Sequence, residues 1–123
     1  MTSDRFKAKA YVKEGCPFSF KFLVFMTEAG LLDRIEIVRV APDGASSEAV
    51  KERLQEHLGK PPTFPTVEVE AGHYMTDSDR IIEHFAERER LQPDEMPVLS
   101  FYKQTIFPKL LELHKLKTAA KNA

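Results

Sequence analysis

The order of the predicted elements indicates an α/β domain with a four-stranded mixed sheet flanked by helices. Alternating apolar residues predict strands at 7–12 and 34–40, and shorter strands at 66–70 and 73–75. Helical spacing of apolar residues predicts a helix after each of the first two strands, a third after the fourth strand and one further helix. The first two strands are therefore expected to be parallel and joined by a right-handed crossover.

The segment after the first strand shows both the alternating apolar spacing of a strand and the apolar spacing of a helix. Its length decides between these two interpretations. A strand over residues 17–29 would be about twice as long as a typical strand of five or six residues. Pro17 suits the first position of a helix, and Gly30 suits the position just after its end. We therefore predict a buried helix between these two residues.

The second and third helices are predicted from their caps and their apolar stripes. Ser46 or Ser47 is expected to cap the second helix, which Gly59 closes. Its apolar residues form one narrow stripe, at Val50, Leu54 and Leu58. The turn 71–72 makes the last two strands antiparallel, and the polar run 76–79 supplies the cap and first-turn acids of the third helix.

A last helix is predicted over residues 97–117, with a kink at Pro108 and a frayed tail at 118–123. Its apolar face is wider than one small sheet needs, because it includes Val98, Phe101, Tyr102, Phe107 and Leu111. Such a face favours a partner, and a homodimer through this C-terminal helix is the simplest one.

Composition limits the classes of function. The chain has 123 residues, enough for one core, and 18 basic against 19 acidic residues, which argues against nucleic acid as a partner. Its N-terminus lacks the apolar region of a signal peptide, and its longest apolar run is too short to span a bilayer. One cysteine and four histidines without ligand spacing argue against a metal site. We expect a cytoplasmic protein with no membrane contact.

The only cysteine, Cys16, lies where the first strand gives way to the first helix, between Gly15 and Pro17. Unpaired N–H groups at a helix N-terminus favour a thiolate, which is the reactive form of cysteine. A small buried thiol with no chemistry is the alternative, since most free cysteines are of that kind. Its Gly-Cys-Pro setting favours the reactive interpretation.

Three segments together resemble the thioredoxin-like superfamily, and specifically the N-terminal domain shared by glutathione S-transferases and larger glutaredoxins. Residues 11–19 resemble the active-site strand, loop and helix in the monothiol form Cys-Pro-Phe-Ser. Residues 63–67 resemble the loop in which a cis-proline precedes the third strand, and 77–82 resemble the Glu-Ser motif of the third helix. The resemblance implies a thioredoxin-like βαβαββα domain at residues 1–92, with an additional helix and tail at 93–123.

The resemblance also implies a catalytic residue and a glutathione site. Cys16 would be the catalytic thiol, and Ser19 stands where dithiol glutaredoxins have a second cysteine. The implied glutathione-binding residues are Pro17, Phe18, Phe64, Pro65, Asp77 and Ser78. Phe64 would pair its backbone with the cysteinyl part, while Ser78 and the helix end would hold the γ-glutamyl carboxylate. Asp77, which replaces the usual glutamate, would face the amino group, and Lys60 is a candidate for the glycyl carboxylate.

These features predict a glutathione-dependent monothiol oxidoreductase that reduces glutathionyl mixed disulfides on protein thiols through Cys16, with glutathione as cosubstrate and no metal. Two alternatives stay open. The chain is a non-catalytic interaction or dimerisation module of the glutathione S-transferase fold, or a glutathione transferase that acts with a partner chain. The transferase alternative needs a partner because only one helix follows the sheet domain.

Overall fold

The structure is a computed structural model that describes the backbone of residues 6–122 and the side chains of residues 6–116. The elements that form the sheet domain are β1 (Ala8–Lys13), α1 (Pro17–Glu28), β2 (Ile35–Val40), α2 (Ala45–Leu58), β3 (Thr66–Glu70), β4 (His73–Thr76) and α3 (Ser78–Glu89). The last part contains α4 (Pro97–Phe101), a π-helical segment (Tyr102–Ile106) and α5 (Phe107–Asn122). The predicted order of elements is confirmed.

One mixed sheet contains all four strands, in the order β2-β1-β3-β4. β1 and β2 are parallel over their whole length, from Ala8 opposite Ile35 to Lys13 opposite Val40. β3 pairs antiparallel with both β1 and β4. The predicted four-stranded mixed sheet is confirmed, and the structure places its parallel pair at one edge and its hairpin at the other.

The face of the sheet that packs against α1 and α3 holds most of the core. α1 contributes three side chains that are fully buried: Phe22, Phe25 and Met26. Alternate residues of β1 and β3 meet them from the sheet, and Ile81, Ile82 and Phe85 meet them from α3. We call this cluster the thick face, and its burial of large apolar side chains is the main stabilising term of the fold.

The opposite face, which packs against α2, has a much smaller core. Its buried residues are Tyr11, Val40 and Leu54, and the side chains around them are only partly buried. We call this cluster the thin face. It corresponds to the narrow apolar stripe that the sequence predicts for α2.

The predicted cap of α2 is wrong. The helix begins at Ala45 with Gly44 as its N-cap, at φ 99°, and without a side-chain cap. Ser47 lies inside the first turn, where it is buried and its Oγ has no hydrogen-bond partner within the described residues. A glycine can take this positive φ at little cost, so the helix starts before either serine. Gly59 ends α2 in the left-handed conformation, as predicted.

The last helix is longer than predicted and changes its winding near Pro108. Its backbone continues to Asn122, through most of the segment predicted to fray, and Ala123 lies outside the described residues. Pro108 cannot donate the helical hydrogen bond to residue 104, and the π-helical segment ends two residues before it. No helix within the described residues is long and apolar enough to cross a membrane.

Hydrogen bonds fasten the last helix to the two ends of α1. At one end, both carboxylate oxygens of Glu28 accept hydrogen bonds, from the backbone N–H groups of Val98 and Leu99 at 2.8 Å each. At the other end, the Tyr102 hydroxyl donates to the Pro17 carbonyl, also at 2.8 Å. α4 and the π-helical segment therefore pack along α1, where Leu99 joins the core of the thick face.

Candidate functional site

A tight turn places Cys16 at the start of α1. The Cys16 N–H donates to the Lys13 carbonyl at 3.2 Å, and Gly15 has φ 78° at the third position of this turn. Only glycine adopts that conformation without strain. Cys16 is the N-cap residue of α1, and its carbonyl accepts the first helical bond from Phe20 at 3.1 Å. The predicted position of the thiol at a helix N-terminus is confirmed.

The thiol itself is half-buried and lies against the loop before β3. Its Sγ donates to the Phe64 carbonyl at 3.6 Å and makes no hydrogen bond with the backbone of α1. Only a neutral thiol can donate in this way. The N–H groups of Phe18 and Ser19 lie in the first turn, where no helical acceptor reaches them, so they are suited to stabilise a thiolate.

The loop that faces Cys16 contains the proline singled out from the sequence. The Phe64–Pro65 peptide bond is cis, as the resemblance implies. Pro65 is fully buried, and β3 begins at the next residue, Thr66. The Phe64 carbonyl therefore belongs to a fixed backbone segment within reach of the thiol.

The N-terminus of α3 lies beside that segment. Thr66 pairs with Thr76 in the register between β3 and β4, so the residues that follow Thr76 start α3 next to Pro65. Asp77 is the N-cap, and its carboxylate accepts the Asp79 N–H at 3.0 Å. Its φ of 76° lies in the left-handed region, which is rare for aspartate and concentrates at functional sites. Ser78 is buried directly beside it.

A buried lysine, which the sequence analysis missed, joins α1 to α3 at this site. The Lys21 ammonium donates to Asp79 at 2.8 Å, with the lysine side chain 4% exposed and the aspartate 69% exposed. The ammonium also lies 4.5 Å from the ring centre of Phe107 and 5.7 Å from that of Phe18, within range of cation–π attraction. Its signal in the sequence is a charged residue on the predicted buried stripe of α1.

Ser19 and Lys60 occupy different surroundings. Ser19 is buried, and its Oγ accepts a hydrogen bond from the Lys13 N–H at 3.1 Å, which ties α1 to the end of β1. Lys60 is exposed directly after α2. Cys16, Phe64 and the start of α3 thus come together, while Lys60 lies on a segment outside these three.

A cavity of about 710 Å³ opens on another side of Cys16, between α1, the edge strand β2 and α5. Its apolar wall consists of Val12, Phe20, Leu23, Ile37, Leu110 and Leu113. Charged and polar groups at its border include Lys13, Glu14, Arg39 and His114, and Arg39 pairs with Glu14 at 3.2 Å. The sequence did not predict this cavity, because its walls come from three segments far apart in the chain.

Tyr102 makes a further contact that the sequence did not predict. The sequence places it on the wide apolar face of the last helix, and the structure buries it there, where its hydroxyl reaches the first turn of α1. Burial, and to a smaller extent the negative charge that Cys16 can carry, raise the pKa of its hydroxyl to about 12. The hydroxyl is therefore protonated near neutral pH. Within the described residues, no group of three or more His, Cys, Asp or Glu side chains is arranged to hold a metal ion.

Comparisons with known proteins identify the family of this chain. The family described as glutathione S-transferase, N-terminal domain, matches residues 15–88, which is more than half of the chain. The structure is similar to that of a possible glutathione S-transferase from Rhodopseudomonas palustris, with TM-score 0.57 and 18% identity over 84% of this chain and 54% of that one.

It is also similar to glutathione transferase Omega 2C from Trametes versicolor, with TM-score 0.48 and 12% identity over 81% of this chain and 42% of that one. The chain thus spans about half the length of these solved proteins. None of the curated proteins matches it. The fold is the thioredoxin-like fold that the sequence predicts, and the chain belongs to the family of glutathione S-transferase N-terminal domains.

Proposed function

We propose that the protein is a glutathione-dependent monothiol oxidoreductase that reduces glutathionyl mixed disulfides on protein thiols. The observation that carries this proposal is the contact between Cys16 Sγ and the Phe64 carbonyl, at 3.6 Å. A potential nucleophile at a helix N-terminus thereby faces a backbone group that can pair with an extended peptide. Membership of the glutathione S-transferase family supports glutathione as the cosubstrate.

In this proposal, glutathione lies across the three segments that meet at Cys16. The Phe64 backbone pairs with its cysteinyl part, and Pro65 holds that backbone in place. The N–H groups at the start of α3 and the Ser78 hydroxyl bind the γ-glutamyl carboxylate, while Asp77 faces the amino group. Pro17 and Phe18 line the first turn of α1 beside the sulfur. The left-handed backbone of Asp77 supports this assignment, because such conformations persist where a site needs them.

The chemistry is two thiol–disulfide exchanges. The Cys16 thiolate attacks the glutathionyl sulfur of the mixed disulfide, whose S–S bond breaks, and the protein thiolate leaves and takes a proton. A second glutathione, as thiolate, attacks the sulfur now bound to Cys16. This step forms glutathione disulfide and restores the Cys16 thiolate. Both steps need only one cysteine. This agrees with Ser19 at the place of the second cysteine, where its hydroxyl is hydrogen-bonded to the Lys13 N–H.

The test is turnover of a glutathionylated protein in the presence of glutathione. We expect release of the protein thiol by the native chain and none by Cys16→Ser. Mass spectrometry of the native chain after exposure to glutathione disulfide should show one added glutathionyl group, which can only be at Cys16 because the chain has one cysteine. Equal turnover by native and Cys16→Ser proteins would refute the proposal.

A second candidate function, transfer of glutathione to an electrophile, is favoured by the cavity of about 710 Å³ beside Cys16. Leu110 and Leu113 of α5 give this cavity a wall from within the chain, whereas the sequence favours a partner chain as the source of such a wall. A conjugation assay with an apolar electrophile separates the candidates. Conjugation without reduction of mixed disulfides would favour the transferase.

A homodimer through the last helix and a cytoplasmic location stay proposals. Val98 and Phe101 support the dimer, because they are 58% and 63% exposed on α4. Sedimentation of the native chain beside Phe101→Ser tests it, with dimerisation expected to weaken in the variant. A native chain that sediments as a monomer would refute the proposed dimer.

A further inference from the structure

The contact between Tyr102 and Pro17 links the last helix to the peptide group next to Cys16. The two residues are 85 positions apart, and their hydrogen bond of 2.8 Å is buried. Tyr102 is 4% exposed, so water does not compete for this bond. This hydrogen bond reaches the first turn of α1 from outside the sheet domain.

The ring of Tyr102 is held by other aromatic side chains, so the hydroxyl has a defined position. Phe20 meets it edge to face, with ring centres 5.2 Å apart, and Phe107 packs at 5.7 Å. Tyr102 is also the first residue of the π-helical segment. Such segments interrupt a helix at some cost and are frequent at functional sites.

The Pro17 carbonyl belongs to the same peptide group as the Phe18 N–H. Because α1 begins at Pro17, the Phe18 N–H is one of the donors that have no helical acceptor. Donors at this position bind the side chain of an N-cap residue, which here is Cys16. A hydrogen bond to the carbonyl oxygen of a peptide group polarises its N–H and makes it a stronger donor. The carbonyl has two lone pairs, so it can accept from both the helix and Tyr102.

We propose that Tyr102 is a positioning residue for the Cys16 thiolate, acting through the Pro17–Phe18 peptide group. Its hydroxyl fixes and polarises this group, whose N–H then stabilises the negative sulfur. When the thiol gives its proton to water, Sγ loses its bond to the Phe64 carbonyl and turns to the Phe18 N–H. The inference rests on the proposed role of Cys16 as the nucleophile.

The titration of Tyr102 agrees with this role. Burial and, to a smaller extent, the charge on Cys16 raise the pKa of the hydroxyl to about 12. The phenol therefore keeps its proton over the range in which a cysteine thiol ionises, and it donates in both states of the thiol.

The test compares the native chain with Tyr102→Phe, which removes the hydroxyl and keeps the ring. The thiolate is followed by its ultraviolet absorbance and by the rate of iodoacetamide alkylation, each as a function of pH. We expect the midpoint of both curves to rise by about half to one pH unit, the effect of one hydrogen bond. Tyr74→Phe removes a tyrosine hydroxyl on β4 and should leave the midpoint unchanged. An unchanged midpoint in Tyr102→Phe would overturn the inference.

Two further measurements distinguish polarisation of the Pro17–Phe18 peptide group from packing of the Tyr102 ring. They also test the relay independently of the proposed function. Phe107→Leu loosens the ring of Tyr102 but keeps its hydroxyl, so its midpoint shift should be smaller than that of Tyr102→Phe. A larger shift in Phe107→Leu would mean that packing and not the hydroxyl sets the midpoint, and it would contradict the relay. In the native chain, the amide nitrogen shift of Phe18 should titrate with the thiol, and no such titration would also count against it. Neither measurement uses glutathione. A chain that fails to turn over mixed disulfides can therefore still show the midpoint shift in Tyr102→Phe. Equally, a chain that turns them over can lack this shift.

Discussion

The two faces of the sheet differ in how firmly they hold the elements that meet at the site. The thick face buries three large side chains of α1 completely, and it fixes the helix that carries Cys16. The thin face has three buried residues and holds α2 through Leu54. Phe64, whose carbonyl contacts the thiol, packs on the thin face. The candidate site thus joins a firmly held thiol to a loop that is supported by fewer contacts.

The largest effect is expected from Phe25→Ala on the thick face. The side chain is fully buried, and its removal leaves a cavity among residues of α1, α3 and the sheet. Such substitutions cost about 3–5 kcal/mol of unfolding free energy. Denaturant unfolding measures this loss. A loss below about 1 kcal/mol would mean that the thick face does not hold the fold.

Leu54→Ala on the thin face should lower the unfolding free energy by less than Phe25→Ala does, by about 2 kcal/mol, because the partly buried residues around Leu54 can close the space. The matched control is Leu99→Ala, which removes the same group from a fully buried position on the thick face. We expect its cost to be higher, about 3–4 kcal/mol. Hydrogen exchange should also show faster local opening of α2 than of α1. Equal losses of unfolding free energy in the two leucine variants would contradict the difference between the two faces.

The ion pair between Lys21 and Asp79 should give unequal results for its two partners. Asp79→Asn leaves the buried ammonium without its carboxylate, and we expect a loss of about 1–3 kcal/mol, less than for a fully buried pair because Asp79 is exposed. Lys21→Met replaces the charge by an apolar side chain among Phe18 and Phe107, and stability should change little. Thermal unfolding compares the two variants. A larger loss in Lys21→Met would show that the ammonium itself stabilises the junction of α1 and α3.

The smallest expected effect is a pH dependence from His84 on α3. Burial of the imidazole lowers its pKa, as does the nearby Arg88, and its Nε2 has no partner within the described residues. The unfolded chain therefore binds a proton more readily than the folded one, so stability is lost as pH falls through and below about 6.5. His84→Phe should unfold with a weaker dependence on pH in this range. An identical pH profile would exclude His84 as the cause.

The sequence predicts the features of this fold that depend on neighbouring residues. Pro17 starts α1 and Gly59 ends α2, because proline and glycine limit or permit backbone angles locally. β3 has its predicted bounds, since the alternation of apolar residues directly reflects its two faces. The start of α2 was misjudged because Gly44 takes a conformation that makes a serine cap unnecessary.

The missed contacts depend on residues far apart in the chain. Lys21 and Asp79 are 58 positions apart, Glu28 and Val98 are 70 apart, and Tyr102 and Pro17 are 85 apart. No local pattern shows which buried polar group will meet which partner. The positions of Cys16, Phe64 and Asp77 were predicted from motifs, whereas the groups that hold them in place are known only from the fold.

A glutathione titration followed by backbone amide shifts tests the central claim, that three segments separated in the chain form one glutathione site. We expect saturable shifts at Phe18, Phe64 and Ser78 that fit a single dissociation constant. Shifts confined to the cavity between α1, β2 and α5, or no saturable shift at any of the three positions, would contradict it.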